Sequence, residues 1–116
     1  MKKILFSILL MFSVQTFGGG FYVSGNKLYE WLMNPPSRMD AYRYIQGIAD
    51  AEEATKSELL WGIGLNRIRF CAPDDATVKQ TSDIVEDYLR ANAPRRHMPA
   101  ADLARDALIQ AWPCPK

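Results

Sequence analysis

The sequence predicts an all-α fold: a small single-domain bundle of four main helices, clipped by one disulfide. Three observations lead there. Apolar residues recur at three- and four-residue spacing in separate stretches, the pattern of helices with one buried face. Prolines and small polar residues stand at the ends of those stretches, where helices start and stop. The only two cysteines, Cys71 and Cys114, lie far apart and form no CxxC pair, so neither a redox motif nor a zinc knuckle is indicated.

The chain opens MKKILFSILLMFSVQTFGGG. Lys2 and Lys3 precede an apolar run from Ile4 to Val14, and Thr16 to Gly18 offer a cleavage site, which is the layout of a secretory signal peptide. The run is shorter than the roughly 20 apolar residues a membrane span requires, although an N-terminal anchor is the alternative. No cysteine follows it, which argues against a lipoprotein. We therefore read residues 1–18 as a signal peptide, 19–36 as a lead-in with a short helix, and 37–116 as the main helical domain. Export predicts a disulfide between the two cysteines. Closing a loop of about 44 residues would stabilise the fold by roughly 4 kcal/mol.

The first helix is predicted in SGNKLYEWLMN, with Leu28, Trp31 and Leu32 on one face and Ser24 or Asn26 as cap. Pro35 and Pro36 stop it. The second opens at Ser37, with Asp40 three residues on, and carries Ala41, Tyr44, Ile45, Ile48 and Ala51 as its buried stripe. Gly47 interrupts that stripe, and a glycine there predicts a second backbone packed close by. LLWGIGLNRIRF breaks the helical pattern; a short strand or frayed helix end would fit, and we read it as a loop with apolar anchors.

Thr77 and Gln80 form a capping box for the third helix, with Asp74 and Asp75 ahead of its positive end. Its predicted face is Val78, Thr81, Ile84, Val85, Tyr88 and Leu89, and Asn92 and Pro94 end it. Pro99 starts the fourth, which buries Leu103, Ala104, Ala107, Leu108, Ala111 and Trp112 and stops at Pro113. Cys114 then emerges at the end of the last helix, and Cys71 precedes the third, so a bridge would clip two antiparallel neighbours.

Charge and motifs exclude several functions. The chain has 14 basic and 13 acidic residues, and loss of Lys2 and Lys3 with the signal leaves it near neutral. A nucleic-acid-binding domain would be markedly basic. His97 is the sole histidine and has no HExxH around it, so no metal or cofactor is predicted. Glu52 and Glu53 are adjacent on a helix and point apart, which rules them out as an acid–base pair. No serine or cysteine stands in a nucleophile motif, and no catalytic residue is predicted.

Two loops remain as binding candidates. One is Trp61 to Asn66, where Gly62 and Gly64 would let Trp61, Ile63, Leu65 and Asn66 reach a partner's cleft, if the stretch is more than a turn. The other is Arg95, Arg96 and His97, either a solvated loop or a basic patch for an acidic partner. Trp31 and Trp112 are expected in the core.

From Phe70 onward the sequence resembles a known family. Phe-Cys-x-Pro, a Thr-x-x-Gln helix start, Tyr88-Leu89, Arg96-His97, a helix with Ala100, Ala101, Leu103, Ala107 and Leu108, and the closing Trp-Pro-Cys together resemble the Rap/Tai immunity proteins, as does the upstream YIQGIADA. The likeness covers roughly residues 40–114. It implies a small helical periplasmic protein that neutralises a type VI secretion effector, a peptidoglycan amidase, by occlusion as a homodimer. It also implies that Cys71 and Cys114 form a structural disulfide and that Tyr44, Ile45 and Gly47 belong to a packed helix. Catalysis, a cofactor and a membrane role after signal cleavage are not implied. Two other readings fit the composition: a periplasmic stress chaperone for unfolded clients, and, more weakly, a small-molecule carrier.

Overall fold

Ser24, Thr77 and the prolines set where the helices begin and end. The computed structural model describes residues 23–59 and 70–115. In it α1 spans Gly25–Met33, α2 Arg38–Leu59, α3 Val78–Ala91 and α4 Ala100–Ala111. One-turn 3-10 helices at Pro35–Ser37 and Ala93–Arg95 follow α1 and α3. Two isolated antiparallel bridges, Ser24 with Pro99 and Phe70 with Pro113, complete the regular structure of the described residues. The fold is all-α, as the periodicity predicts.

A helix end leaves amides or carbonyls without partners inside the helix. Ser24 Oγ accepts from Lys27 N at 3.2 Å, and Thr77 Oγ1 accepts from Gln80 N at 3.1 Å, so both predicted caps form. Ser37 departs from expectation: its 3-10 turn runs straight into α2, and its hydroxyl accepts from Asn34 Nδ2 at 3.3 Å. Pro99 has no capping side chain, so Ala100 N donates to Val23 O at 2.7 Å. In return the first amides of α1, Gly25 N and Asn26 N, donate to Met98 O at 2.9 Å and Arg96 O at 2.7 Å. The N-termini of α1 and α4 thus cap each other. A Cβ on Gly25 would lie 2.8 Å from Arg96 O and 3.0 Å from Arg96 Cα, closer than packed atoms allow.

Each helix packs against the other three. Leu28 and Leu32 from α1, Ala41 and Ile45 from α2, Val85 and Leu89 from α3, and Leu103, Ala104, Ala107 and Leu108 from α4 form the buried core. Several predicted positions fall elsewhere. Val78 and Ala111 are exposed at helix ends, and fully buried Ser82 stands on the inner face of α3. On α2, Ala51 is exposed and Glu52 is buried at 6% exposure. The physical reason is on α4: Arg105 Nε meets Glu52 Oε1 at 2.7 Å and its Nη1 reaches Asp102 at 3.4 Å, so the carboxylate is buried with a charged donor.

The reading of Gly47 is overturned. A Cβ there would meet nothing within 4 Å, and the residue is exposed. The close backbone approach belongs to Gly25. Gly47 breaks the apolar stripe because it faces solvent.

The disulfide joins Cys71 to Cys114 with a Cα–Cα distance of 4.9 Å. Cys71 N donates to Trp112 O at 2.8 Å alongside the Phe70–Pro113 bridge. The approach to α3 is therefore fastened to the exit of α4 by one covalent and one hydrogen-bonded link.

Candidate functional site

That fastening sets Phe70 and Trp112 beside α2 and opens a cleft of about 430 Å³. Gln46, Ala49, Asp50 and Glu53 of α2 form one wall. The opposite wall is the segment from Phe70 through Thr81, and Trp112 closes the cleft on the α4 side. Phe70 is 6% exposed and Trp112 half-buried, so the cleft has an aromatic floor. Its ionisable lining is acidic: Asp50, Glu53 and Asp74, with no basic side chain among the described lining residues. Its two hydroxyls serve the start of α3, Thr77 as cap and Thr81 donating to Thr77 O at 3.0 Å. Such a cleft can bind and orient; none of its described side chains is placed as a nucleophile. Among the described residues no three metal-ligating side chains gather.

Asp74 and Asp75 occupy the turn that Ala76 N closes on Pro73 O at 3.0 Å. The first turn of α3 itself holds no acidic residue. Asp74 and Asp75 lie just ahead of the Thr77 cap, on the side of the positive end of α3, as the sequence suggested.

The candidate loop of Arg95, Arg96 and His97 is split by the structure. Arg95 Nη2 lies 3.0 Å from Asp106 Oδ2, its Nη1 donates to the Tyr88 hydroxyl, and its guanidinium stands 5.9 Å from the Tyr88 ring centre. The hydrogen bond to Asp106, then the charge of Tyr88, raise its already high pKa further. Arg96 lies 4.1 Å over the Tyr29 ring and its Nε donates to Leu89 O at 2.8 Å, which caps the end of α3. Both cations have partners within the fold, and Arg95 keeps about 40% of its side chain exposed. His97 alone is exposed, with Nδ1 3.0 Å from Pro94 O. The other candidates, Trp61, Ile63, Leu65 and Asn66, lie outside the described residues. The segment that carries them starts from α2 and returns at Phe70, in the cleft floor.

Trp31 is half-buried and meets Tyr44 edge-on, with centroids 6.3 Å apart. Burial, and then Asp102, raise the Tyr44 pKa above the ordinary value. Trp112 packs against the core as the sequence suggests and also lines the cleft. Its adjacency to Phe70 follows only from the cysteine pairing.

Residues 24–114 match the sequence model of the Rap1a immunity proteins. The chain belongs to this family. The match runs from the cap of α1 to the second cysteine, so it takes in all four helices and the disulfide, and extends the resemblance to α1. Membership of the Rap1a immunity proteins implies a toxin as binding partner, and inhibition as the mode of action. No curated protein and no solved structure matches the chain.

Proposed function

We propose that this Rap1a immunity protein acts in the periplasm, after removal of residues 1–18 as a signal peptide, and occludes a type VI secretion toxin of the peptidoglycan-amidase type. The observation that carries the reading is the family match across the whole helical scaffold. The Cys71–Cys114 disulfide supports the compartment, because such bonds persist where the environment is oxidising. Trp61, Ile63, Leu65 and Asn66 are the proposed anchors, presented between α2 and the clipped Phe70. His97 is a second contact, with Arg95 and Arg96 holding its loop in place. The protein acts as a homodimer, which sedimentation of the oxidised mature chain tests.

The deciding experiment mixes the mature, oxidised protein with purified amidase effectors at neutral pH. One tight, stoichiometric complex with loss of hydrolase activity is the expected result. Recovery of many unfolded clients, and only after acidification, would replace immunity with a chaperone role. Within a complex, Trp61→Ala should weaken binding by about 2 kcal/mol or more, the scale of an aromatic hot spot. Unchanged affinity would remove that anchor.

A further inference from the structure

The segments joined by the disulfide stand apart from the core. The buried residues and the hydrophobics packed on them come from the four helices, from Val23, Met98 and Trp112, and from Phe70; none lies in residues 71–77 or 113–115. Cys71 and its neighbours through Asp75 are exposed, as are Pro113 and Pro115, with Cys114 half-buried between them. The bundle has holds of its own elsewhere: the mutual cap of α1 and α4, Arg95 on Asp106, and Arg105 on Glu52. A disulfide stabilises chiefly by restricting the unfolded chain, so opening this one removes no core contact. It removes the covalent tie between the approach to α3 and the end of α4. That tie is backed by Cys71 N, which donates to Trp112 O at 2.8 Å beside the Phe70–Pro113 bridge, while Pro113 and Pro115 have no amide to add.

Disulfides in exposed positions are the ones that thiols reach, and they are the labile and regulatory ones. We infer that Cys71–Cys114 is a redox latch: an external dithiol opens it in the folded protein, freeing the approach to α3 and the C-terminal tail while the four-helix core stays assembled. A thiolate of the dithiol attacks Cys71 Sγ, and Cys114 Sγ leaves as a thiolate and is protonated. The second thiol of the reductant then displaces Cys71 from the mixed disulfide. The reductant ends as a disulfide, and the protein gains the two electrons and two protons it gave up. Resting on the toxin-binding reading, the oxidised chain is the inhibitor and the opened chain the weaker one, because binding costs less when the surface is already held.

The test incubates the oxidised mature protein with dithiothreitol at neutral pH without denaturant, caps free thiols with N-ethylmaleimide and weighs the product. Both cysteines should be labelled while the far-ultraviolet circular dichroism of the helices persists. In nitrogen–proton NMR spectra the amides of Ile45, Leu89 and Leu108 should keep their shifts, and order parameters at Cys71 and Cys114 should fall from about 0.85 to below roughly 0.6. A Cys71→Ser/Cys114→Ser variant should show the same pattern without reductant and bind an amidase effector about tenfold more weakly than the oxidised chain. Labelling that needs denaturant would overturn the latch, and so would loss of the helical signal on opening or unchanged order at both positions. Equal effector affinity in the oxidised chain and the variant would overturn the control of inhibition. An oxidised chain that binds no amidase effector would refute the immunity reading instead, and the labelling and order parameters would still decide the latch.

Discussion

Replacing Gly47 by alanine should raise the stability of the protein, and replacing Gly25 by alanine should lower it. Gly47 lies well inside α2, and a Cβ there meets nothing within 4 Å. Only the helix propensity changes, in favour of alanine by about 0.8 to 1.0 kcal/mol. At Gly25 the added Cβ would sit 2.8 Å from Arg96 O, the carbonyl that accepts from Asn26 N at 2.7 Å. Backbone cannot rotate away as a side chain can, so α1 and the 96–98 segment must separate. Overpacking of this kind costs about 1–3 kcal/mol, and a weakened cap adds about 1 kcal/mol, for a loss of roughly 2–4 kcal/mol. Urea unfolding followed by far-ultraviolet circular dichroism reads both. With a slope of about 1 kcal/mol per molar, the midpoint should rise by nearly 1 M for Gly47→Ala and fall by about 2 M or more for Gly25→Ala. A destabilised Gly47→Ala would refute the solvent-facing placement of that face of α2. A neutral Gly25→Ala would refute the mutual capping of α1 and α4.

Three further outcomes follow from the same structure. Converting Cys71 and Cys114 to alanine together should lower stability by about 4 kcal/mol, measured by the same unfolding curve, because the sequence separation of 43 sets the loop the bond closes. Arg96→Lys should cost about 1–2 kcal/mol, since a lysine has no Nε donor for Leu89 O and a poorer fit over Tyr29, while leaving toxin affinity unchanged. Tyr44 should ionise above the ordinary tyrosine value of 10.0, because burial and Asp102 both disfavour the phenolate. The folded chain then holds that proton more tightly than the unfolded one. Its contribution to stability is present below pH 10.0 and fades as pH rises through the folded pKa. Tyr44→Phe should remove the latest phase of the ultraviolet titration and lessen the alkaline loss of stability.

The elements that sequence made legible are those decided locally. Thr77 and Pro99 mark the starts of α3 and α4 because capping and the fixed φ of proline act within one turn, and the Leu103–Leu108 face follows from period alone. What it hid depends on contacts between distant residues. Glu52 lies beside the predicted apolar stripe, and only Arg105, brought across from α4, accounts for its burial, while nothing near Gly25 announces that Arg96 will lie against it. Gly47 was misread for the complementary reason: a glycine can mark a close approach or simply an unguarded exposed position, and only the neighbour distinguishes them. The cleft has the same origin. Phe70 and Trp112 are separated by most of two helices, and only the cysteine pairing makes them one floor. Arg95 and Arg96 resemble a basic patch in sequence because their acceptors, Asp106, Tyr88 and Leu89, lie on other helices.

The use of Arg95 and Arg96 within the scaffold bears on how an inhibitor of this family can work. Occlusion by a loop costs the conformational freedom of that loop, and the cost falls when its attachment points are already held. On the N-terminal side of residues 60–69 the chain is helical, with Glu52 locked to Arg105. On the C-terminal side Phe70 is buried, bridged to Pro113 and one residue from the disulfide. Holding both ends requires that α4 keep its position, and α4 is set at its start by the mutual cap with α1 and by Arg95 reaching Asp106. The two arginines therefore hold the scaffold together, Arg95 through Asp106 of α4 and Arg96 through the last turn of α3.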